Sequence, residues 1–333
     1  MSGGQGDRGP MGAGSGAGPE VRRAWAGWVV ALGVGAVSCA AVLVRLSQAP
    51  PETLAFYRLL FALAVLVPAS LTPGRRGAYA RLRAQDWGLG ILAGTFLALH
   101  YATWFASVRL TSVLSATVLV TLQPFFVLLL GFLLWRRRVP VRAGVGLLLA
   151  LAGSFLIGGG NLALAERSTQ GDLLALLAAF LISVYLVVGE VQRARQDLLT
   201  YSCVVYGSAA LVLALVAWAR GSPLGGFPLR EWWIFGGLAA GPTLLGHTLF
   251  LWALAYVPAA FIAVAILGEP VAATFWAWLF LGEVPALHQV VGGGLILGGV
   301  AWYQLRASSA PEAPRVSVPA EPGAPSGPVP GGR

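Results

Sequence analysis

The chain has 333 residues, of which 57% are hydrophobic and only 11% charged, against roughly a quarter in soluble domains, so its composition excludes an ordinary soluble protein. Its net charge of +9 comes from arginine without any lysine, which excludes a Walker A loop and a Schiff-base lysine, and no HExxH or metal-spaced Cys/His motif predicts a metal or cofactor. Because most arginines lie in loops between apolar segments, the charge indicates membrane topology and not a nucleic-acid partner.

Ten apolar segments between two polar tails predict an all-α polytopic membrane protein. Residues 1–23 are rich in glycine and residues 306–333 in proline and small residues, so both tails are expected to be disordered. Each apolar segment is close to the ~20 residues that a helix needs to span a bilayer. The segments are Ala24–Leu46, Thr53–Thr72, Trp87–Ser107, Thr111–Trp135, Val141–Gly160, Gly171–Glu190, Leu199–Ala219, Trp232–Leu254, Pro258–Leu281 and Ala286–Leu305.

Arginine is unevenly distributed between the loops on the two sides of the predicted membrane. The clusters Arg75–Arg83 and Arg136–Arg142, with Arg193 and Arg195, all fall on the side of the N-terminus. Cytoplasmic loops carry such an excess of positive residues. The sequence therefore predicts a multi-pass protein of the cytoplasmic membrane with both termini in the cytoplasm.

The two halves of the chain resemble each other. Leu122–Pro124 (LQP) corresponds to Gly268–Pro270 (GEP), and Trp87 corresponds to Trp233 at the same separation. Five spans per half is an odd number, so the second copy must lie inverted in the membrane. Inverted repeats are typical of secondary transporters, whose substrate sites lie near the midplane between the repeats. The predicted boundaries are residues 24–160 for the first repeat, 161–170 for the linker and 171–305 for the second repeat.

Glu269 stands near the middle of the ninth segment, directly before Pro270. A carboxylate at that depth is costly unless it faces a bundle interior or a water-filled cavity, and the proline kinks the helix by freeing the carbonyl of Ile266. Gln123 and Pro124 hold the matching positions in the first half. Glu269 is interpreted either as a substrate-site residue that exchanges protons with both sides or as a neutral group with one structural hydrogen bond.

Five further residues are candidates for substrate binding. Arg58 either extends its guanidinium to the membrane surface or binds a substrate carboxylate or Glu269 in the cavity. His100 and Trp104 share a face of the third span, and His247 lies in the corresponding eighth span. Each of these residues, and Tyr185 in the sixth span, is also compatible with ordinary core packing, which is the preferred interpretation for Tyr185.

Glycine pairs in two segments have the small-xxx-small spacing that lets helices approach closely. They are Gly90 with Gly94 and Gly294 with Gly298, and both pairs are expected to serve packing.

Short motifs add a resemblance to a known family. They are Phe56-Tyr57-Arg58, the stretch His100–Phe126, Gly171–Leu176, Leu267–Val271 and Leu281–Glu283. Together with ten spans and both prolines, they are similar to the ten-helix members of the drug/metabolite transporter superfamily with two EamA-type domains, over residues 27–305. The resemblance implies secondary transport of small metabolites, often export of amino acids or related compounds, without a prosthetic group. One departure is Arg138, which stands where the second half has Glu283.

The combined expectation is a secondary active transporter, not an enzyme, that moves an amino acid or related polar or amphipathic metabolite outward by alternating access. Proton coupling through Glu269 is a further hypothesis, and the protein is expected to act as a monomer or a homodimer. Two alternatives remain open on the sequence. One is a flippase for a lipid or lipid-linked sugar, and the other is a membrane-embedded enzyme that modifies lipids.

Overall fold

The structure is a computed structural model that describes residues 19–73, 75–111, 113–138, 140–162, 169–281 and 284–308. Every regular element within these ranges is helical, and no strand occurs in them. The helices are α1 (Pro19–Val37), α2 (Ala40–Leu46), α3 (Pro51–Ser70), α4 (Gly77–Ala80), α5 (Ala84–Leu110), α6 (Val113–Val120), α7 (Gln123–Trp135), α8 (Val141–Leu162), α9 (Thr169–Arg193), α10 (Leu198–Ala219), α11 (Leu229–Leu238), a π-helix (Ala239–His247), α12 (Thr248–Ala253), α13 (Ala259–Ile266), α14 (Glu269–Leu281) and α15 (Leu287–Ser308).

Eight helical stretches of the described chain are long and apolar enough to cross a bilayer. They confirm eight of the ten predicted spans. The other two predicted spans correspond to α8, whose apolar part Val141–Ile157 is shorter, and to α15, and these remain predictions. The eight stretches are Trp25–Leu46, Pro51–Ser70, Ala84–Leu110, Val118–Trp135, Thr169–Arg193, Leu198–Ala219, Leu229–Ala253 and Ala259–Trp276.

Two of these stretches are broken at matching positions of the two halves. Residues 121–122 separate α6 from α7, and residues 267–268 separate α13 from α14. Each new helix begins with the residue before a proline, so Pro124 and Pro270 lie in a first turn, where a missing N–H costs little. The breaks therefore place the start of a short helix, with its polar first residue, inside the bundle.

The stretch Leu229–Ala253 contains a π-helical segment, which the sequence did not predict. Within it, the backbone N–H of Thr248 bonds to the carbonyl of Thr243, five residues back. Short π-helical insertions widen a helix by one residue per turn and are frequent at functional sites. This one carries Thr243 and His247 into the centre of the bundle, where both are buried.

Helices α8 and α15 pack against each other through glycines. A Cβ atom added to Gly153 would lie 2.5 Å from the carbonyl oxygen of Gly292, and one added to Gly299 would lie 2.5 Å from that of Gly146. Only glycine allows the two backbones to come so close. The predicted packing role is wrong for Gly294 and Gly298, whose Cβ positions have no neighbour within 4 Å.

The other predicted glycine pair, Gly90 and Gly94, does lie in a close helix contact. A Cβ atom on Gly90 would meet Val204 at 2.7 Å, and one on Gly94 would meet the carbonyl oxygen of Val205 at 2.4 Å. Helix α5 therefore packs tightly against α10, and both form part of the core around the centre of the bundle.

The glycine contact predicts a difference between two variants of the same helix. Gly292→Ala should destabilise the protein, because its Cβ would lie 2.7 Å from a side-chain carbon of Ile157 and 2.8 Å from the carbonyl oxygen of Gly153. Gly294→Ala, which faces open space, should be neutral or slightly stabilising, since alanine favours helix by up to ~1 kcal/mol. Thermal unfolding in detergent measures both, and equal melting temperatures for the two variants would contradict the packing described here.

Candidate functional site

A cavity of about 40 Å³ lies at the centre of the bundle, where helices of both halves meet. It is large enough for a few water molecules and too small for an organic metabolite. Both helix breaks and the π-helical segment border it. The lining residues are Val37, Ala40, Arg58, His100, Tyr101, Trp104, Val120, Thr121, Gln123, Ile182, His247, Phe250, Ile266 and Glu269.

The structure brings six of the seven predicted substrate-site residues to this one cavity. Tyr185 is the exception, since it is fully buried behind the lining, with its ring centroid 6.2 Å from that of His247. A role in substrate binding stays a prediction for all seven. The six lining residues are Arg58, His100, Trp104, Gln123, His247 and Glu269.

Arg58 is buried in the centre of the protein, with 1% of its surface exposed. Its Nε donates a hydrogen bond to Thr243 Oγ1 at 2.9 Å, and its guanidinium carbon lies 4.2 Å from the ring centroid of Tyr101. Its Nη2 has no hydrogen-bond partner among the described residues. The side chain therefore does not extend to the membrane surface, and a buried cation with a free donor borders the cavity.

The two histidines of the cavity differ in their hydrogen bonding. His100 Nδ1 lies 2.9 Å from the carbonyl oxygen of Ala178, and because a carbonyl only accepts, this nitrogen must carry the proton. His247 Nδ1 has no partner in the described part of the chain. The ring of Tyr101 lies beside both, at centroid distances of 5.4 Å from His100 and 5.5 Å from His247. The arrangement forms a connected aromatic wall.

Glu269 and Gln123 reach the cavity from the two helix breaks. Glu269 is 8% exposed, and its carboxyl group makes no hydrogen bond or ion pair with any described residue. Gln123 is 3% exposed, its backbone carbonyl accepts a hydrogen bond from Ser183 Oγ at 2.9 Å, and its Nε2 has no described partner. Matching positions of the two halves thus supply an acid and a neutral amide.

Two further carboxylates, which the sequence interpretation missed, join the two halves at opposite ends of the bundle. At the end of α9, Glu190 accepts a hydrogen bond from Arg137 Nη1 at 2.6 Å and another from the backbone N–H of Ala259 at 3.0 Å. We call this contact the α9 clamp. It links the end of α7 to the start of α13, the two broken helices that carry the cavity residues.

The second clamp lies at the start of α11, which we call the α11 clamp. Glu231 accepts a hydrogen bond from Ser47 Oγ at 2.6 Å and another from the backbone N–H of Gln48 at 2.9 Å. Glu231 is 2% exposed. Because consecutive spans run in opposite directions, the end of α9 and the start of α11 lie on opposite sides, so contacts between the two halves are present at both ends of the bundle.

Comparison with known proteins adds independent information. The model of the EamA-like transporter family matches twice, over residues 24–159 and 169–304. An uncharacterized transporter of Archaeoglobus fulgidus is 27% identical over 65% of this chain and 76% of its own length. The uncharacterized transporter YdfC of Bacillus subtilis is 25% identical over 77% of this chain and 82% of its own.

A third relative has a named cargo. The pseudopaline exporter CntI of Pseudomonas aeruginosa is 27% identical over 67% of this chain and 76% of its own length. A crystal structure that covers 87% of this chain and 99% of its own superposes with a TM-score of 0.69 at 22% identity, which supports the fold.

The hydrogen bond between Arg58 and Thr243 predicts the effect of a conservative substitution at Thr243, in the second half of the chain. Thr243→Val keeps the shape of the side chain but removes the oxygen that accepts from Arg58 Nε, so a buried cation loses its partner. Thermal unfolding should show a loss of ~1–3 kcal/mol, the usual cost of leaving a buried polar group unsatisfied. Thr95→Val, whose hydroxyl bonds only to its own helix, is the matched control. Equal losses in the two variants would show that the Arg58 contact contributes nothing.

Proposed function

The chain belongs to the EamA-like transporter family, and we propose that it is a secondary active transporter that exports a small metabolite by alternating access. It is a multi-pass membrane protein. Its relatives are named as transporters, one of them as an exporter, which favours transport over catalysis and export over uptake. The substrate proposed is an amino acid or a related polar or amphipathic compound.

The observation that carries this proposal is the central cavity, because it gathers the polar residues of both repeats. Arg58, His100 and Gln123 come from the first repeat, and His247 and Glu269 come from the second. Polar and ionisable groups are expensive inside a membrane and usually mark a transport pathway. In folds built of inverted repeats, the substrate site lies at the repeat interface, near the midplane.

The proposed topology has ten spans with both termini in the cytoplasm. It takes α8 and α15 as the fifth and tenth spans, because they pack along each other and neither has another apolar partner of similar extent. The arginine-rich loops then lie on the cytoplasmic side. Placement in the cytoplasmic membrane, and the monomeric or homodimeric state, stay predictions.

Alternating access is supported by the two clamps. A cavity of about 40 Å³ cannot hold a metabolite, so the protein must open to admit one. On the proposed topology, the α9 clamp closes the cytoplasmic side and the α11 clamp closes the opposite side. Breaking one clamp at a time would expose the cavity to one side at a time, as alternating access requires.

Transport itself is tested with purified protein in liposomes, a panel of small metabolites and imposed proton or sodium gradients. Gradient-driven movement of at least one amino acid or related compound is expected. A protein that moves none of these solutes but flips labelled lipids would overturn the proposal in favour of a flippase.

Proton coupling through Glu269 predicts a selective defect. Glu269→Gln keeps the shape and hydrogen-bonding capacity of the side chain but cannot exchange a proton, so accumulation driven by a proton gradient should collapse while passive exchange of substrate persists. Asp86→Asn, a carboxylate outside the cavity at the start of α5, should leave accumulation unchanged. If Glu269→Gln still concentrates substrate with the proton gradient, the carboxyl group is structural.

The clamps predict which side of the protein opens. In a background without Cys39 and Cys203, Ala40→Cys places a thiol in the cavity wall. Adding Glu190→Gln removes the charge that binds Arg137, so labelling by a membrane-impermeant thiol reagent from the cytoplasmic side should rise roughly three- to tenfold, for a contact contributing about 0.6–1.4 kcal/mol. Adding Glu231→Gln instead should raise labelling from the opposite side. Unchanged rates in both variants would contradict the gating role of the clamps.

A further inference from the structure

Four exposed arginines lie where the connection after α7 meets the paired helices α8 and α15, and we call them the arginine corner. Arg136 and Arg138 lie in that connection, Arg142 is the second residue of α8, and Arg306 lies in the last turn of α15. On the proposed topology, the arginine corner lies at the cytoplasmic surface of the membrane. Its residues belong neither to the lining of the central cavity nor to the two clamps.

A tryptophan joins the ends of α8 and α15 at this corner. Trp302 Nε1 donates a hydrogen bond to the backbone carbonyl of Arg142 at 2.7 Å, and the guanidinium carbon of Arg306 lies 4.9 Å from the centroid of the Trp302 ring. Arg138 precedes Arg142 by four residues, so their Cα atoms are at most about 14 Å apart. Tryptophan rings favour the level of the lipid headgroups. The contacts of Trp302 therefore gather arginines from two helices and one connection at that level.

Arg136 has a backbone conformation that usually belongs to glycine. Its φ of 55° is the single positive value of a residue other than glycine in the described chain. It ends α7, and its N–H bonds to the carbonyl of Phe132 at 2.8 Å. Glycine is preferred at such a helix end because it has no Cβ atom to strain the backbone. Backbone strain of this kind clusters at functional sites, so an arginine in this place indicates a role for its side chain.

The arginine corner has no counter-charge among the acids whose side chains the structure describes. On the proposed cytoplasmic side, Asp86 and Asp197 bond to backbone N–H groups at helix starts, and Glu190 binds Arg137. The ion pairs of described side chains involve Arg137 and Arg220, which lie outside the corner. A general excess of arginine in cytoplasmic loops requires neither a strained backbone nor a fixed place against an aromatic ring. These features favour a bound anion.

The surface next to the arginine corner is apolar, which identifies the source of that anion. Val145 and Leu148 follow Arg142 at intervals of three residues on one face of α8, and both are exposed. Leu133 and Leu134, in the last turn of α7, are exposed as well. A free inorganic anion has no use for apolar surface, whereas a phospholipid carries a phosphate at one end and acyl chains at the other.

We propose that the arginine corner binds an anionic phospholipid. The guanidinium groups donate hydrogen bonds to the phosphate oxygens, whose geometry suits the planar fork of arginine, and the acyl chains lie along the apolar faces of α7 and α8. Basic pockets between membrane helices on the cytoplasmic side are known to bind such headgroups. Phosphatidylcholine should bind more weakly than phosphatidylglycerol, because its choline group brings a positive charge next to the arginines. This inference goes beyond the proposed function and does not depend on the solute transported.

The test measures thermal unfolding of the full-length protein in a neutral detergent. The probes are phosphatidylglycerol and phosphatidylcholine with identical acyl chains, and inorganic phosphate. Phosphatidylglycerol should raise the melting temperature more than either of the other two. Equal rises with the two lipids would overturn the proposal. An equal rise with inorganic phosphate would also overturn it, because the corner would then bind anions without regard to the lipid.

Charge-matched variants locate the effect on the protein surface. Arg142→Gln combined with Arg306→Gln should lower the apparent affinity for phosphatidylglycerol about tenfold or more. Arg75→Gln combined with Arg81→Gln removes the same charge from exposed positions in another arginine-rich loop, and it should lower that affinity less than about threefold. Equal losses in the two double variants would show only a general attraction of anionic lipid to a basic surface, and they would overturn the site.

Arg136→Gly tests the strained position separately. Without lipid, this variant should melt at a higher temperature than the unchanged protein, because glycine adopts a positive φ without strain. The further rise caused by phosphatidylglycerol should be smaller, since one guanidinium has been lost. An unchanged response to phosphatidylglycerol would overturn the role assigned to Arg136, and so would a lower melting temperature without lipid.

Discussion

The hydrogen bond from Arg58 to Thr243 connects the two repeats at the centre of the bundle, far from bulk water, where burying a charge costs most. Inside a bilayer no bulk water competes for polar groups, so each must find its partner within the protein. The π-helical segment carries Thr243, the residue of the second repeat that meets this arginine of the first. Removing the bond would leave the guanidinium beside the face of the Tyr101 ring but without this hydrogen-bond partner.

The two helix breaks have the same backbone construction but present different polar side chains to the cavity. In both repeats a proline in the first turn ends the preceding helix and exposes a polar residue to the cavity. The first repeat presents the amide of Gln123 and the second presents the carboxyl group of Glu269. The duplicated backbone therefore places these polar residues symmetrically. The side chains differ, so the first repeat presents hydrogen-bond donors to the cavity and the second presents an acid.

The sequence predicted the features that the membrane environment dictates, and it did not predict those that depend on tertiary contacts. Six predicted residues meet in one cavity because polar side chains in apolar helices have few other places to lie. The π-helix was not predicted, although Pro242, which has no backbone N–H to donate, lies within it. Glycine spacing did not show which face of α15 is buried, so Gly292 and Gly299 were missed in favour of Gly294 and Gly298. Glu190 and Glu231 were missed because their partners are distant in sequence.

The unpaired side chains of Arg58 and Glu269 and the two clamps bear on one requirement of secondary transport. The protein must not pass between its two open states without a bound substrate. Arg58 and Glu269 have no ion-pair partner among the described residues, so a state that shuts both away from water is costly unless something neutralises them. A ligand shifts a conformational equilibrium only by its differential affinity for the two states. A substrate that supplies partners to these groups lowers that cost once the cavity has widened to hold it, whereas an open, hydrated cavity lets water solvate them. Closure would then be favoured mainly when substrate is bound. The free energy needed to bury the two unpaired groups would thereby couple the opening of one clamp to the binding of substrate.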